Sequence, residues 1–551
     1  MRWQMVLAWA MAGVSARTPA QGSPMHALHR RGAEAAPRRH PGVAFDRWAR
    51  NEPVASRFRS DKTRKYLLDG KAIPDVDFDI GEAYAGQMSI SDDPNGPDKF
   101  FFWFQPSPNP AADKEILIWL NGGPGCSSLE GLIQENGPFS WQYGTFKPVP
   151  NPWAWHHLTN VLWVEQPVTT GFSTGTVTAT DEEDLARQFL GFFKNFVQTF
   201  STQGYKVYIT GESYAGMYCP FIASAMLDAH DKTHFNLKGM MVYDPAMADW
   251  RLGDVNVVPF VDHNRNLFPF NDSFVQAIHE ADRKCGYADV RDKFLTWPAR
   301  GHLPNVLPGA DPKTGDSLPE CHLQRAIQEA ATDINPCFDT YQVATTCPLL
   351  WDVLGFPGSF DYLPKGASVY FDRPDVKKAI HAPVDRKWAS CSDNSVFVNG
   401  SDNSDWAITK VLGKVIDATK NVIIGHGALD YILLANGTLL AIQNTTFGGK
   451  LGFDTRPHEP FYVPYHTRGE DGSLAGAGVF GTAHTERGLT YVSVALAGHM
   501  VPQYAPSAAF RHLEFLLGRI DSLQSKKPFT TDPQTAQPKA PLGGGTALPM
   551  N

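Results

Sequence analysis

The stretch KVYITGESYAGMYCPFIASAM, residues 206–226, decides how the rest of the chain is read. Its apolar run Val207, Tyr208 and Ile209 reads as a strand that ends at Gly211. Ser213 follows at the tip of a turn, and the small residues Ala215 and Gly216 open a segment in which Ile222, Met226 and Ala229 recur at helical spacing. A strand, a sharp turn and a helix together present a serine hydroxyl as a nucleophile, and the turn needs small neighbours because the serine backbone is strained. The strict pattern is Gly-x-Ser-x-Gly, whereas the last position here is Ala215. The plain alternative is a serine that merely caps a helix. The stretch therefore has to be judged by what surrounds it.

Outward from it, short apolar segments alternate with helical ones. VDFDIGEAYAGQMSI (76–90) and KFFFWFQP (99–106) read as strands, as do EILIWL, TNVLWVE, KVYIT, GMMVYD, KNVIIG and TYVSVAL. DEEDLARQFLGFFKNFVQTF (181–200) reads as a helix with acids in its first turn. Strands buried on both faces and alternating with helices predict an α/β fold with a mostly parallel central sheet flanked by helices. Residues 251–365 break that rhythm with Pro, Gly and four cysteines and read as an inserted, disulfide-linked cap. The two parts of the main domain are then 51–250 and 366–520, and the Pro/Gly/Thr-rich tail at 521–551 is expected to be disordered.

A serine hydroxyl needs a base, and the base needs an orienting acid. In the α/β-hydrolase fold these follow in the chain order serine, acid, histidine, each after the end of a strand. Asp430 lies beyond the strand at 422–424, and His499 beyond the strand at 491–496. Ser213, Asp430 and His499 are thus the candidate triad. Asp244, ending MMVYD, is the alternative acid, with a structural role favoured for it; His426 sits too early in its turn to be the base. The oxyanion donors are expected from the Tyr214 N–H and from the loop in WLNGGPGCSS, where Gly122 and Gly123 allow close backbone approach. No His-Glu-x-x-His helix or paired-cysteine metal pattern is present, so neither a metal nor another cofactor is expected.

The net charge of −8 argues against a nucleic-acid surface. Arg2, the apolar run Met5–Ala16 and the small residues Val14-Ser15-Ala16 read as a signal peptide over 1–16, followed by an arm or pro-segment over 17–50. No later run is long and apolar enough for a membrane span. Sequons at Asn271, Asn399, Asn436 and Asn444 fit a secretory route, with secretion expected and a vacuole as the alternative. In that compartment seven cysteines imply up to three disulfides and one free thiol. Cys285, Cys321, Cys337 and Cys347 are expected to cross-link the cap in a pairing left open, Cys126 and Cys391 are candidates for a long-range bridge, and Cys219 is read as the unpaired one.

WLNGGPGCSS (119–128), ENGPF (135–139), VEQPVTTGFS (164–173), GESYAG (211–216) and AGHMVP (497–502), in this order, resemble the serine carboxypeptidases. LDYILLANGTLLAIQN (429–444) is similar to fungal secreted members, and the resemblance spans about 60–520. Gly-Glu-Ser-Tyr-Ala-Gly is that family's own form of the elbow, which accounts for Ala215. The resemblance implies release of single residues from peptide or protein C-termini through an acyl-enzyme at acidic pH. It implies the triad Ser213, Asp430 and His499, oxyanion donors at Gly123 and Tyr214, and a substrate-carboxylate site of Asn121, Glu135 and Glu212 with Trp119 alongside. It also implies a Cys126–Cys391 bridge. The surroundings of the acid, GHGALDY, lack the second aspartate and following cysteine of many relatives, and Cys219 stands where relatives often have an aliphatic residue. Two adjacent carboxyls cannot both ionise cheaply, so one is expected to stay protonated and donate to a substrate carboxylate. An acyltransferase or an esterase with the same triad is the alternative, although Asn121, Glu135 and Glu212 would have no task in an esterase. A non-catalytic binding protein is the reading from another class, and the complete triad argues against it.

Overall fold

The computed structural model describes residues 56–355, 366–393, 395–466 and 477–532. The signal peptide and arm expected over 1–50 lie outside the described residues, as does the tail from 533. Ten strands make the central sheet: β1 (Tyr84–Ser89), β2 (Lys99–Gln105), β3 (Glu115–Leu120), β4 (Asn160–Glu165), β5 (Lys206–Glu212), β6 (Asn236–Tyr243), β7 (Val422–Gly427), β8 (Glu459–Val463), β9 (Gly478–Glu486) and β10 (Leu489–Val494). Their order across the sheet is β1-β2-β4-β3-β5-β6-β7-β10-β9-β8. From β4 through β10 every neighbouring pair is parallel. The two flanks are antiparallel.

The parallel strands are apolar on both faces because helices cover both. Every residue of β3 and β4 is buried. On one face α1 (Ser128–Gln134) packs beneath a second core layer that includes Trp119, Trp163 and Tyr243. On the other lie α2 (Glu182–Phe200) and α3 (Ala215–Asp228). Asp181 caps α2 through its side chain, which accepts the Asp184 N–H at 2.9 Å, and three acids fill the first turn. Its buried Phe189, Phe192, Phe193, Phe196 and Phe200 follow helical spacing and meet Phe100, Phe102 and Phe104 of β2. Phe196 stands edge-on to Phe102 and Phe104, at 5.8 and 5.2 Å, and stacks on Phe200 at 4.5 Å.

The chain leaves the sheet at Tyr243 and returns at Val422. The early part of this excursion carries α4 (Leu252–His263), α5 (Asp272–Lys284), α6 (Tyr287–Phe294) and α7 (Leu323–Ile334). Cys285–Cys321 and Cys337–Cys347 close two loops here, while Cys126–Cys391 ties the segment after β3 to the return path. Val255, Val258 and Ile327 of the excursion share one buried cluster with Ile424 and Ile442. Cys219 is buried and unpaired, and burial raises its thiol well above the ordinary range. Asn271 and Asn399 are exposed; Asn436 and Asn444 are half-buried, and Asn444 Oδ1 accepts the Leu303 N–H at 2.9 Å.

One expectation changes, and one pair of strands adds to the sheet. The tail does not begin at 521 as a disordered segment: Leu523 and Phe529 are buried, and the Phe529 ring lies 5.1 Å from Trp153 and 5.7 Å from Phe510. Two apolar anchors in a polar stretch suffice to seat it, and Arg511 Nη2 donates to the carbonyls of Ser525 and Lys527 at 3.0 Å. Strands β8 and β9 were also not anticipated. They form an antiparallel edge with a mixed burial pattern, and β9 contains Gly481, so neither shows a clean apolar alternation.

Because Phe196 is fully buried among rings, Phe196→Ala is expected to cost about 3–5 kcal/mol, read as a lower urea midpoint at unchanged m-value.

Candidate active site

The sheet register brings the expected residues to one edge. Glu212 pairs with Tyr243, Tyr243 with Gly425, and Gly427 with Val494, so β5, β6, β7 and β10 end at the same side. Ser213 follows β5 directly and carries the left-handed backbone of a strained elbow, at φ 60°. Its carbonyl accepts the N–H groups of Gly216 and Ala246, each at 2.9 Å, and its own N–H donates to Tyr243 O at 2.9 Å. The turn is thereby fixed from both sides.

Asp430 and His499 meet across 69 residues, with His499 Nδ1 at 2.8 Å from Asp430 Oδ2. Asp430 Oδ1 accepts the N–H groups of Ile432 at 2.9 Å and Leu433 at 3.3 Å. This assigns Nδ1–H as donor and leaves His499 Nε2, which is buried and has no protein partner, as the acceptor a general base requires. The disulfide-closed 337–347 segment supports both residues. The Thr340 carbonyl accepts from Tyr431 N and Ile432 N at 2.9 and 3.1 Å, and Tyr341 O accepts the His499 N–H at 2.7 Å. The Tyr341 ring stands edge-on to the imidazole at 4.8 Å. Sequence reading placed this segment in the cap and gave it no role.

The loop after β3 lies against the elbow. A Cβ on Gly122 would fall 2.4 Å from Tyr214 N and 2.7 Å from Ser213 Cβ, so only glycine permits this approach. Gly123 follows at φ 108°. The loop is held at its far side by the Cys126–Cys391 bridge, by Ser127 N donating to Ser390 O at 2.7 Å, and by Gly125 N donating to Tyr218 Oη at 3.1 Å. Beneath it the buried Glu165 carboxylate accepts from Ser127 Oγ, from Phe172 N at 2.6 Å and from Trp388 Nε1 at 3.1 Å. Burial pushes Glu165 up to about 7.

Beside the elbow, Trp119 Nε1–H donates to Asn121 Oδ1 at 2.7 Å and so fixes the amide orientation. Asn121 Nδ2 then donates to Glu212 Oε1 at 2.8 Å and to Glu135 Oε1 at 3.3 Å. Both carboxyls are buried, and Oε2 of each has no protein partner. Glu135 is pushed up to about 7, chiefly by burial, while hydrogen bonds to Glu212 and Asn121 and the nearby His499 pull the other way. Glu212 is raised well above the carboxylate range by burial and by the charge of Glu135. The pair therefore holds a proton in weak acid, and the O–H can be donated.

Two neighbours escaped the sequence reading. Glu130, on α1 among Leu129, Leu132 and Ile133, adds a third buried carboxyl, raised by burial and by Glu135. An acid within an apolar helical stretch was its only sequence signal. Gly131 gives the Glu135 site its room, since a Cβ there would come 2.3 Å from Trp119 Nε1 and 2.8 Å from Asn121 Oδ1. Asp244 is not the acid paired with His499; it lies beside Asp430, with one carboxylate oxygen of each and a ring nitrogen of His499 all within 4.8 Å. His426 is fully buried, with Nε2 at 2.7 Å from Leu433 O and Nδ1 at 3.1 Å from Thr438 Oγ1. It is engaged away from the elbow.

Gly122→Ala would push the glycine loop off the elbow. The expected result is a loss of roughly 10²–10³ in kcat with an unchanged far-UV circular dichroism spectrum.

The family model described as serine carboxypeptidase matches residues 74–518. A probable serine carboxypeptidase of Arthroderma benhamiae is 55% identical over 481 residues, covering 85% of this chain and 89% of that protein. The serine-type carboxypeptidase F of Aspergillus niger is 48% identical over 485 residues, with 85% and 89% covered. Among solved structures, a prohormone-processing carboxypeptidase from Saccharomyces cerevisiae superposes with a TM-score of 0.64 at 22% identity, covering 84% of this chain and 98% of that one. The last supports the fold alone. On the family match and the two high-identity relatives, the chain belongs to the serine carboxypeptidase family.

Proposed function

We propose that this protein releases C-terminal amino acids from peptides and proteins in acid, with Ser213 as nucleophile, His499 as base and Asp430 as the residue that orients it. The observation that carries the reading is the buried Glu135–Glu212 pair bridged by Asn121, directly before the elbow serine. A pair that holds a proton gives a donor for an anionic chain end without introducing a full positive charge.

In this reading the chain end lies against Glu135, Glu212 and Asn121, which sets the last peptide carbonyl at Ser213. His499 Nε2 takes the hydroxyl proton as Oγ attacks, and Asp430 stabilises the imidazolium. The N–H groups of Gly123 and Tyr214 receive the oxyanion, with Gly122 allowing the approach. His499 then protonates the departing amino acid, and water repeats the sequence on the acyl-enzyme. A cavity of about 620 Å³ beside Tyr214, lined by Pro124, Trp250, Phe397, Asp402 and Trp406, has room for the acyl-side chain.

The 251–365 cap and a secretory destination, with the vacuole as alternative, belong to the same proposal. Three disulfides and the four sequons support the route. Among the described residues no helix is long and apolar enough to cross a membrane.

Ser213→Ala is expected to lower peptide hydrolysis by roughly 10⁶ while thermal unfolding stays unchanged, measured as release of free amino acid from a blocked dipeptide. The pH dependence follows from the acid pair. A substrate carboxylate is ionised throughout, whereas Glu135 loses its proton as pH rises through about 7, leaving repulsion in place of a donor. KM for free-acid peptides is therefore expected to rise roughly tenfold from pH 6 to 8, with a much smaller rise for the matching C-terminal amides. Equal rises for acids and amides would remove the carboxylate-binding role from Glu135 and Glu212.

A further inference from the structure

The acid of the candidate triad has a second carboxyl behind it that the mechanism so far leaves idle. Asp244, immediately after β6, is fully buried. Its Oδ1 accepts the Gly427 N–H at 2.9 Å, and its buried Oδ2 receives no hydrogen bond. One oxygen of Asp244, one of Asp430 and a ring nitrogen of His499 lie within 4.8 Å of one another. Asp430 is saturated with donors on its remaining sides: Ile432 N and Leu433 N on Oδ1, and His499 Nδ1 on Oδ2. Among the described residues no arginine or lysine enters the cluster to balance two negative charges. Two buried carboxylates in such contact are therefore not both ionised, and the one holding more N–H donors keeps the charge.

The charged and titratable groups around Asp244 can be taken element by element. From β7, His426 Nε2 is 3.4 Å from Asp244 Oδ1 but donates to Leu433 O at 2.7 Å, and Thr438 Oγ1 lies against its Nδ1. Burial pushes this imidazole down to about 4, so it is neutral and supplies no cation. From the loops after β7 and β10 come Asp430 and His499, and from β10 itself the buried Tyr491. On its own strand lies Tyr243, whose Oη hydrogen-bonds His512 Nδ1 at 2.9 Å. Farther off, the Glu135 and Glu212 carboxyls add to the acidic surroundings. All of the acidic neighbours favour the neutral form of Asp244, and burial does so most strongly, raising it well above the carboxylate range.

We propose that Asp244 is a positioning residue of the triad, a neutral carboxylic acid whose O–H is donated to the ionised Asp430. The proposal rests on the triad reading given above. Its consequence is chemical. A donor on Asp430 draws off part of its negative charge, so Asp430 still orients His499 but pulls less strongly on a proton at its ring. An imidazole that must act as a base in acid gains from that restraint, because a protonated ring cannot activate Ser213. The sequence lacks a second aspartate beside Asp430, and here the second carboxyl comes from the neighbouring strand.

The test is the pH dependence of Ser213 labelling by a fluorophosphonate, which carries no chain-end carboxylate and so bypasses Glu135 and Glu212. Asp244→Asn keeps a neutral donor, and its acidic limb is expected to lie within about 0.3 pH units of the wild type. Asp244→Ala, with Asp244→Leu should the alanine variant not fold, removes the donor and is expected to move the limb up by about one unit, so labelling at the acidic end falls several-fold. The infrared difference spectrum of wild type minus Asp244→Asn is expected to show a protonated-carboxyl band at pH 7. A limb that drops by a unit or more in Asp244→Asn would mean an ionised Asp244 and overturn the proposal. So would an unshifted limb in the donorless variants, or a missing band. His499→Ala separates the two levels: undiminished labelling there would fail the triad, whatever Asp244 does.

Discussion

Everything at the catalytic edge depends on two backbone segments lying closer than side chains would allow. Gly122 and the Ser213–Tyr214 elbow touch because one side has no Cβ and the other adopts a left-handed turn. That contact sets how closely the glycine loop lies against the Ser213 side chain and the Tyr214 N–H. The adjoining restraints all serve it: the Cys126–Cys391 bridge, the Ser127–Ser390 hydrogen bond and the buried Glu165 hold the glycine loop, while Tyr243 and Ala246 hold the elbow. The parallel register then brings the ends of β7 and β10 to the same edge, where Asp430 and His499 meet.

A second theme is the number of carboxyls placed out of water. Glu130, Glu135, Glu165, Glu182, Glu212 and Asp244 are all buried and all raised by burial. A group whose folded value lies above its unfolded value contributes stability that is complete below the ordinary carboxyl range and is lost as pH climbs towards the folded value. For Glu135 and Glu165 that window runs from the ordinary 4.5 to about 7. The folded state and the carboxylate recognition proposed above thus favour the same acidic range. Both follow from carboxyls whose burial outweighs the hydrogen bonds and charges that pull the other way.

Much of this was legible in the sequence because short-range rules govern it. The elbow, the parallel strands from 115 onwards and the Phe-rich helix at 182–200 each carry their own periodicity, and the triad follows a fixed chain order. Asn121, Glu135 and Glu212 were reached through five ordered motifs rather than through spacing. What stayed hidden depends on contacts between distant segments. Thr340 and Tyr341 look like ordinary loop residues until their carbonyls are found beneath Asp430 and His499. Asp244 reads as a strand-ending aspartate, and only the sheet register puts it beside Asp430. The edge strands at 459–463 and 478–486 have mixed burial, and Phe529 seats a stretch whose composition points to disorder.

The 337–347 loop has a consequence for how this architecture can diversify. Its carbonyls grip the segments bearing Asp430 and His499, and a Cβ on Gly498 would come 2.0 Å from Tyr341 O. The excursion is therefore no detachable lid grafted onto a finished hydrolase. Insertions can lengthen or reshape its helices and alter what reaches the cleft, yet the short span from Cys337 to Cys347 must return to the same place each time. Natural variation should accordingly be generous around that span and sparse within it, and chimaeras that exchange the excursion between relatives need their junctions outside it.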